Sequence, residues 1–435
     1  MRKSLRGGLA GITAAVVAIS LAACGTADAG SDNELSDEPV ALRMTWWGGD
    51  TRHERTQQVI DLFEKKYPNI TVETEFSDWT GYWEKLATTT AGGNTPDVIQ
   101  MDEIYLASYA ARGVLAPLGD YDIDTSGLDP AILGMGEYDG QNYAIPISTA
   151  ATAFLVNKDL VEASGVPMPD TSTWTWDEFN AWAEEVTAAS PSGTFGTSIL
   201  GSVFSLQLIL RQQGDNLFSD GKISVKPESL ANYFQLALDQ TTNGAVPSAS
   251  VTAETLKLAI DQQDFTLGKA ATWSNSATLI SEYQSAMGGN ANLELVPLPS
   301  FDGGETKYDY FKAGMYWSMA ARAEHPAEAA LLIDFLTNDP EVAAIIGTER
   351  GLPSSTTALD TIANSLTPEE QQAVEYSESR VVELGDPPAI VPNGAADIDA
   401  VLWRYLQEVI FGRQTPEQAA DAMITEVQAS LDAAN

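Results

Sequence analysis

Between Val40 and Asp102 the chain passes from strand-like to helix-like patterning and back, an order that few architectures accommodate. Val40 to Trp47 alternates apolar and polar residues as a strand does, and Trp46, Trp47, Gly48, Gly49 and Asp50 end it in a turn. The next stretch carries Val59, Ile60, Leu62 and Phe63 near the 3.6-residue period of an amphipathic helix and stops at Tyr67, Pro68 and Asn69. Ile70 to Phe76 alternates again as a second strand, Trp79 to Thr90 reads as a helix, and Val98 to Met101 is a third strand ending on Asp102. Strands joined by helices of this length build a parallel sheet through crossover connections. The fold class expected is therefore α/β.

Ligands of open α/β sheets bind beyond the carboxyl ends of the strands. Trp46 to Asp50 and Asp102 fall at those ends, and both carry polar or aromatic groups.

At these residues the chain resembles a known family. The run WWGGDTRHERTQQVIDLFEKKYPNITVETEF, followed by DWTGYWEKLATTTAGGNTPDVIQMD and later by YDGQNYAIPISTAATAFLVNKDL and TWTWDEF, is similar to bacterial extracellular solute-binding proteins of family 1, the maltose-binding, oligosaccharide-importer type. No single run is a strict motif, but their order and spacing carry the likeness over nearly the whole chain. The resemblance implies a two-lobed periplasmic-binding-protein-like fold of type II, with discontinuous lobes, hinge crossings and a ligand cleft between them. Crossings are expected near Ser148 to Thr152, Ala271 to Asn275 and Trp317 to Arg322, which assigns 40–148 and 273–318 to the first lobe and 149–272 and 319–435 to the second. It also implies a monomer without cofactor that delivers a sugar, an oligosaccharide above all, to the permease subunits of an ABC importer.

The start of the chain fits that role. Arg2, Lys3 and Arg6 precede an apolar run from Leu9 to Ala22, too short to span a membrane comfortably and placed as a secretory signal is. Leu21, Ala22, Ala23 and Cys24 then match the pattern at which lipoprotein signals are cleaved and the cysteine is acylated, so residues 1–23 are expected to be removed and Cys24 to carry the lipid. Residues 24–39 are small, polar and acidic, and read as a disordered tether spanning about 20 Å. The expected location is the extracytoplasmic face of the membrane.

With 23 Lys plus Arg against 61 Asp plus Glu the net charge is −38, and loss of the three basic residues of the signal takes it to −41. Such a field opposes nucleic acid and anionic partners at long range. Two histidines, His53 and His325, and a single cysteine make a poor ligand set for a transition metal.

A neutral sugar presents hydroxyls around patches of C–H, so its site needs flat aromatic faces and carboxylates or amides. Trp47, Trp79, Phe204, Trp273 and Trp317 are candidates for the first kind, with Trp46 the alternative to Trp47, because neighbours on a strand face opposite ways. Asp50, Asp78, Asp102 and Asn275 are candidates for the second, with helix capping the alternative for Asp50 and the expected role of Asp78. By the resemblance, Trp273 and Asn275 lie on a strand returning to the first lobe and Arg350 on a turn at the cleft margin. Asp102 and Trp47 would then serve from the first lobe, Phe204 and Arg350 from the second. Buried packing is the ordinary role of every aromatic named, and the expected one for Trp174 and Trp176 at the start of their helix.

Catalytic patterns are missing. Gly214 to Ile223 has the wrong spacing for a phosphate loop, His53 and Glu54 are followed by Gln57 where a zinc helix needs histidine, and no nucleophilic-serine elbow occurs. A carboxylate pair of a glycoside hydrolase stays open on pattern alone, as does a receptor for an amino acid, peptide or polyamine. A charged solute would require a buried arginine or a cluster of acids.

Overall fold

The computed structural model describes residues 34–256, 258–305, 308–385 and 387–434. The signal and Cys24 lie outside them.

The opening strand Val40–Trp47 pairs in parallel with Ile70–Ser77 on one side and with Val98–Met101 on the other. The sheet continues through Tyr316–Met319, antiparallel to Val98–Met101, and closes on the short strand Ile145–Pro146. The helix Asp50–Lys66 covers one face and buries Thr56, Val59, Ile60 and Phe63, while Leu62 of the expected stripe is only half-buried. Each large apolar side chain so buried contributes roughly 1.5–3 kcal/mol. Val59, Ile60 and Phe63 share a core with Leu42, Met44, Trp46, Trp317 and Met319.

A second sheet is built around Thr152–Asn157, flanked on both sides by the antiparallel strands Thr272–Ser276 and Leu293–Val296. All six residues of that central strand are buried, as in a strand covered on both faces. Helices cover it, among them Trp176–Ala189, which opens with a capping box between Thr175 and Glu178. Trp174 and Trp176 are buried in this second core, in the packing role expected of them.

Between the two bodies runs a third, small sheet in which Ser148–Ala150 lies between Lys312–Ala313 and Leu352–Pro353. Ser148–Ala150 and Lys312–Ala313 carry the chain across, whereas Leu352–Pro353 leads into a helix that stays on the first lobe, and the strand pairings correct the expected boundaries. Thr272–Ser276 does not return to the first lobe, because its full length pairs with Thr152–Asn157 in the second sheet. Trp317 lies not on a crossing but in a strand of the first sheet, between Val98–Met101 and Ile145–Pro146. Residues 319–435 are not all in the second lobe. The helices Pro326–Asn338 and Pro340–Ile346 bring Ala329, Leu332, Ile333, Phe335 and Val342 into the first core. An apolar period tells a helix which of its faces to bury, not which of two cores will receive it.

The tether also ends earlier than expected. The Ser36 backbone N–H donates to Glu328 Oε1 at 2.6 Å and its carbonyl accepts from Asn69 Nδ2 at 3.1 Å, so this part of the expected tether is fastened to the first lobe.

Candidate functional site

A cavity of about 570 Å³ lies between the lobes and takes residues from both. From the first lobe comes Trp79, the first residue of the helix Trp79–Ala91, whose start is fixed when the Asp78 carboxylate accepts the Gly81 N–H at 3.1 Å. The residue is 40% exposed. Edge contacts with Trp47 at 5.0 Å and Trp83 at 5.5 Å hold the ring in one orientation, so a ligand would meet a rigid aromatic surface.

From the second lobe comes Phe204, in the first turn of the helix Val203–Gln212, capped by Ser202. The ring is half-buried, edge-on to Tyr310 at 5.4 Å, with the Lys312 ammonium 6.0 Å from its centroid. Serine hydroxyls continue this wall, with Ser202 and Ser205 3.0 Å apart and Ser205 and Ser274 3.3 Å apart.

The floor is charged. Asp102 caps the helix Glu103–Ala111 by accepting the Ile104 N–H at 3.1 Å, and its other oxygen makes no hydrogen bond among the described residues. Glu103 pairs with Lys312 at 2.7 Å, and Lys312 sits on a crossing strand. Burial pushes both carboxyls above the usual range, against the pull of Lys312. Burial alone would lower the Lys312 ammonium, but Glu103 and Asp102 outweigh it and hold the group above its ordinary value. Asp399, from the second lobe, adds its field to all three.

Asn275 lines the cavity, but its amide is engaged: Oδ1 accepts the Ser276 N–H at 2.8 Å and Nδ2 donates to the Tyr283 hydroxyl at 3.3 Å. Arg350 also borders the cavity, yet it is fastened to the first lobe rather than serving from the second. Its Nε donates to Gln100 Oε1 at 3.2 Å, Nη2 to Thr56 Oγ1 at 2.8 Å and Nη1 to Glu349 Oε2 at 3.3 Å, and its guanidinium lies 5.4 Å from the Trp317 ring centroid. Burial, with Arg52 adding to it, pulls its pKa down to about 9, so it remains cationic at neutral pH.

Thus Trp79, Asp102, Phe204, Asn275 and Arg350 come together, and four other expected residues do not line the cavity. Trp47 is buried behind Trp79 and its carbonyl accepts from Arg52 at 3.2 Å; Trp46, facing the other way, packs in the core of the first lobe. Asp50 begins the helix Asp50–Lys66 after Gly49, exposed and without a capping bond. Trp273 is buried in a core of the second lobe, with Leu155 and Tyr283. Trp317 is 2% exposed beneath Arg350. For both, strand alternation leaves open which face is core, and the pairing partners decide it.

Glu103, Lys312, Tyr310 and Asp399 were not anticipated. Lys312 had a local signal, a lone cation between Phe311 and Gly314 in an otherwise aromatic and apolar piece. Asp399 had none, since only the packing of its helix brings it to the cavity.

Residues 49–343 match the family model described as bacterial extracellular solute-binding protein. The structure of a periplasmic oligogalacturonide binding protein from Yersinia enterocolitica superposes with a TM-score of 0.76 at 25% identity, covering 91% of this chain and 99% of that one. A Streptomyces antibioticus protein named as an uncharacterized lipoprotein is 25% identical over 364 residues, 79% of this chain and 76% of that protein. A curated Brucella abortus relative named as a binding protein is 30% identical over 139 residues, so the chain spans about a third of that relative's length. The paired sheets, the crossing strands and the cavity between them are the architecture of such binding proteins, and the chain belongs to the bacterial extracellular solute-binding protein family.

Proposed function

We propose that the protein is the substrate receptor of an ABC importer and captures a saccharide, an oligosaccharide above all, between its lobes. The observation that carries this reading is the pair Trp79 and Phe204, two aromatic rings presented to one cavity from opposite lobes. Sugar rings offer C–H faces to such surfaces, while Asp102 and the serine hydroxyls suit the hydroxyls at the ring edge. A ligand touching both lobes stabilises the closed form by the difference between its contacts in the two states. In this reading the closed form docks on permease subunits, and Cys24, once processed and acylated, anchors the receptor at the outer face of the membrane. The ligand in the Yersinia relative's name supports the saccharide, and the Streptomyces relative's name supports the lipid anchor.

Thermal-shift screening of the purified protein against mono-, di- and oligosaccharides tests the reading. A cognate saccharide raises the melting temperature in proportion to the logarithm of its concentration above Kd. Stabilisation by amino acids or peptides and by no saccharide would overturn it.

A further inference from the structure

The charges in the cleft do not balance. Glu103 engages Lys312 at 2.7 Å. The two arginines on the cavity wall are also committed: Arg52 to Glu349 at 2.7 Å and to the Trp47 carbonyl, Arg350 to Gln100, Thr56 and Glu349. Asp102, Asp399 and Glu282 remain on the cavity wall. Asp102 and Asp399 each spend one oxygen on a helix N-terminus, Asp102 on the Ile104 N–H and Asp399 on the Val203 N–H, both at 3.1 Å. The second oxygen of each makes no hydrogen bond among the described residues. They belong to different lobes and line the same cavity.

Two such carboxylates repel one another as the lobes close and water leaves, because the interaction strengthens as the local dielectric falls. A neutral polyol hydrogen-bonds to them but does not cancel the charge. An ammonium group supplies three donors and a positive charge, and a uronate would add a third anion.

We propose, building on the saccharide reading above, that the cleft selects a sugar carrying a basic nitrogen, whose ammonium is held by Asp102 from one lobe and Asp399 from the other while its ring lies against Trp79 and Phe204. Lys312 then acts as the partner of Glu103 and keeps that carboxylate from competing for the ligand. The same floor excludes uronic acids.

Calorimetric titration of the purified protein with mono- to trisaccharides in amino, N-acetylated, neutral and uronic forms tests this. The amino forms bind at least about tenfold more tightly than their N-acetylated and neutral counterparts, in line with a charge-assisted hydrogen bond. The advantage shrinks as salt is raised, and the uronic forms do not bind. D102N and D399N keep an oxygen to accept the helix N–H, since asparagine caps as well as aspartate. Each lowers the ratio of amino to neutral affinity by about tenfold. Neutral sugars binding as tightly as amino sugars, or a ratio that survives both substitutions, overturns the charge selection and leaves the saccharide reading standing. Failure of every saccharide, with binding of a plain polyamine, overturns the saccharide reading instead.

Discussion

The Trp46 indole donates its Nε1 hydrogen to His53 Nδ1 at 3.0 Å, and the His53 ring stacks on Phe76 at 4.0 Å. As an acceptor, His53 must be neutral at Nδ1. Burial holds its pKa below the ordinary value, with Asp50 opposing. The unfolded chain takes up this proton near pH 6.5, whereas the folded one resists until a lower pH. The stability due to the neutral ring is therefore full above about pH 6.5 and declines as pH falls toward the folded pKa. Urea unfolding of the protein and of H53Q at pH 7.5 and 5.5 isolates the effect, since the other acids cancel in the comparison. The stability advantage of the protein over H53Q shrinks at the lower pH; an advantage unchanged between the two values would contradict the assignment. The tryptophan pair shows what strand alternation reveals and what it leaves out. That Trp46 and Trp47 face opposite ways follows from the pleat. That Trp47 is covered by Trp79 does not, because Trp79 arrives on a separate helix.

At the scale of elements, the crossing strands are closely packed. Gly314 and Gly351 both close on the buried Ser148, and a Cβ at Gly314 would stand 2.4 Å from Ser148 Oγ. G314A is expected to cost about 1–3 kcal/mol through overpacking. Removing the hydroxyl in the double variant G314A/S148A recovers most of that loss, a coupling that a denaturant double-mutant cycle reads directly. Strict additivity of the two substitutions would show that the crowding is not at this contact. The sequence made the strands and helices of the first lobe readable because each has its own period and its own stop: Pro68 and Asn69 end one helix, and Asp78 starts another. The crossings were harder to read. Thr272–Ser276 and Tyr316–Met319 are both short extended pieces containing a tryptophan, and only long-range pairing sends one to the second sheet and the other to the first. For the same reason pattern and resemblance make Trp273 and Trp317 candidate ligand contacts, while in the fold both are core residues.

On the scale of the whole molecule, the cavity lies where two sheets are joined by a narrow third one. The residues legible as site residues were those at helix starts beyond strand ends, Trp79 and Asp102, where topology fixes the location. Phe204 was legible from the small residues before it. Lys312 and Asp399 depend on how the lobes face each other, which no local window contains. The proposed grip of one ligand from both sides at once is tested most directly by measuring affinity for the cognate saccharide in the protein, in W79A, in F204A and in the double variant. Each single substitution is expected to weaken binding by about tenfold or more, as loss of a buried aromatic contact implies, with the folded state retained. Saturable binding that loses affinity in only one of the two single variants, or in neither, would contradict a site made by both lobes.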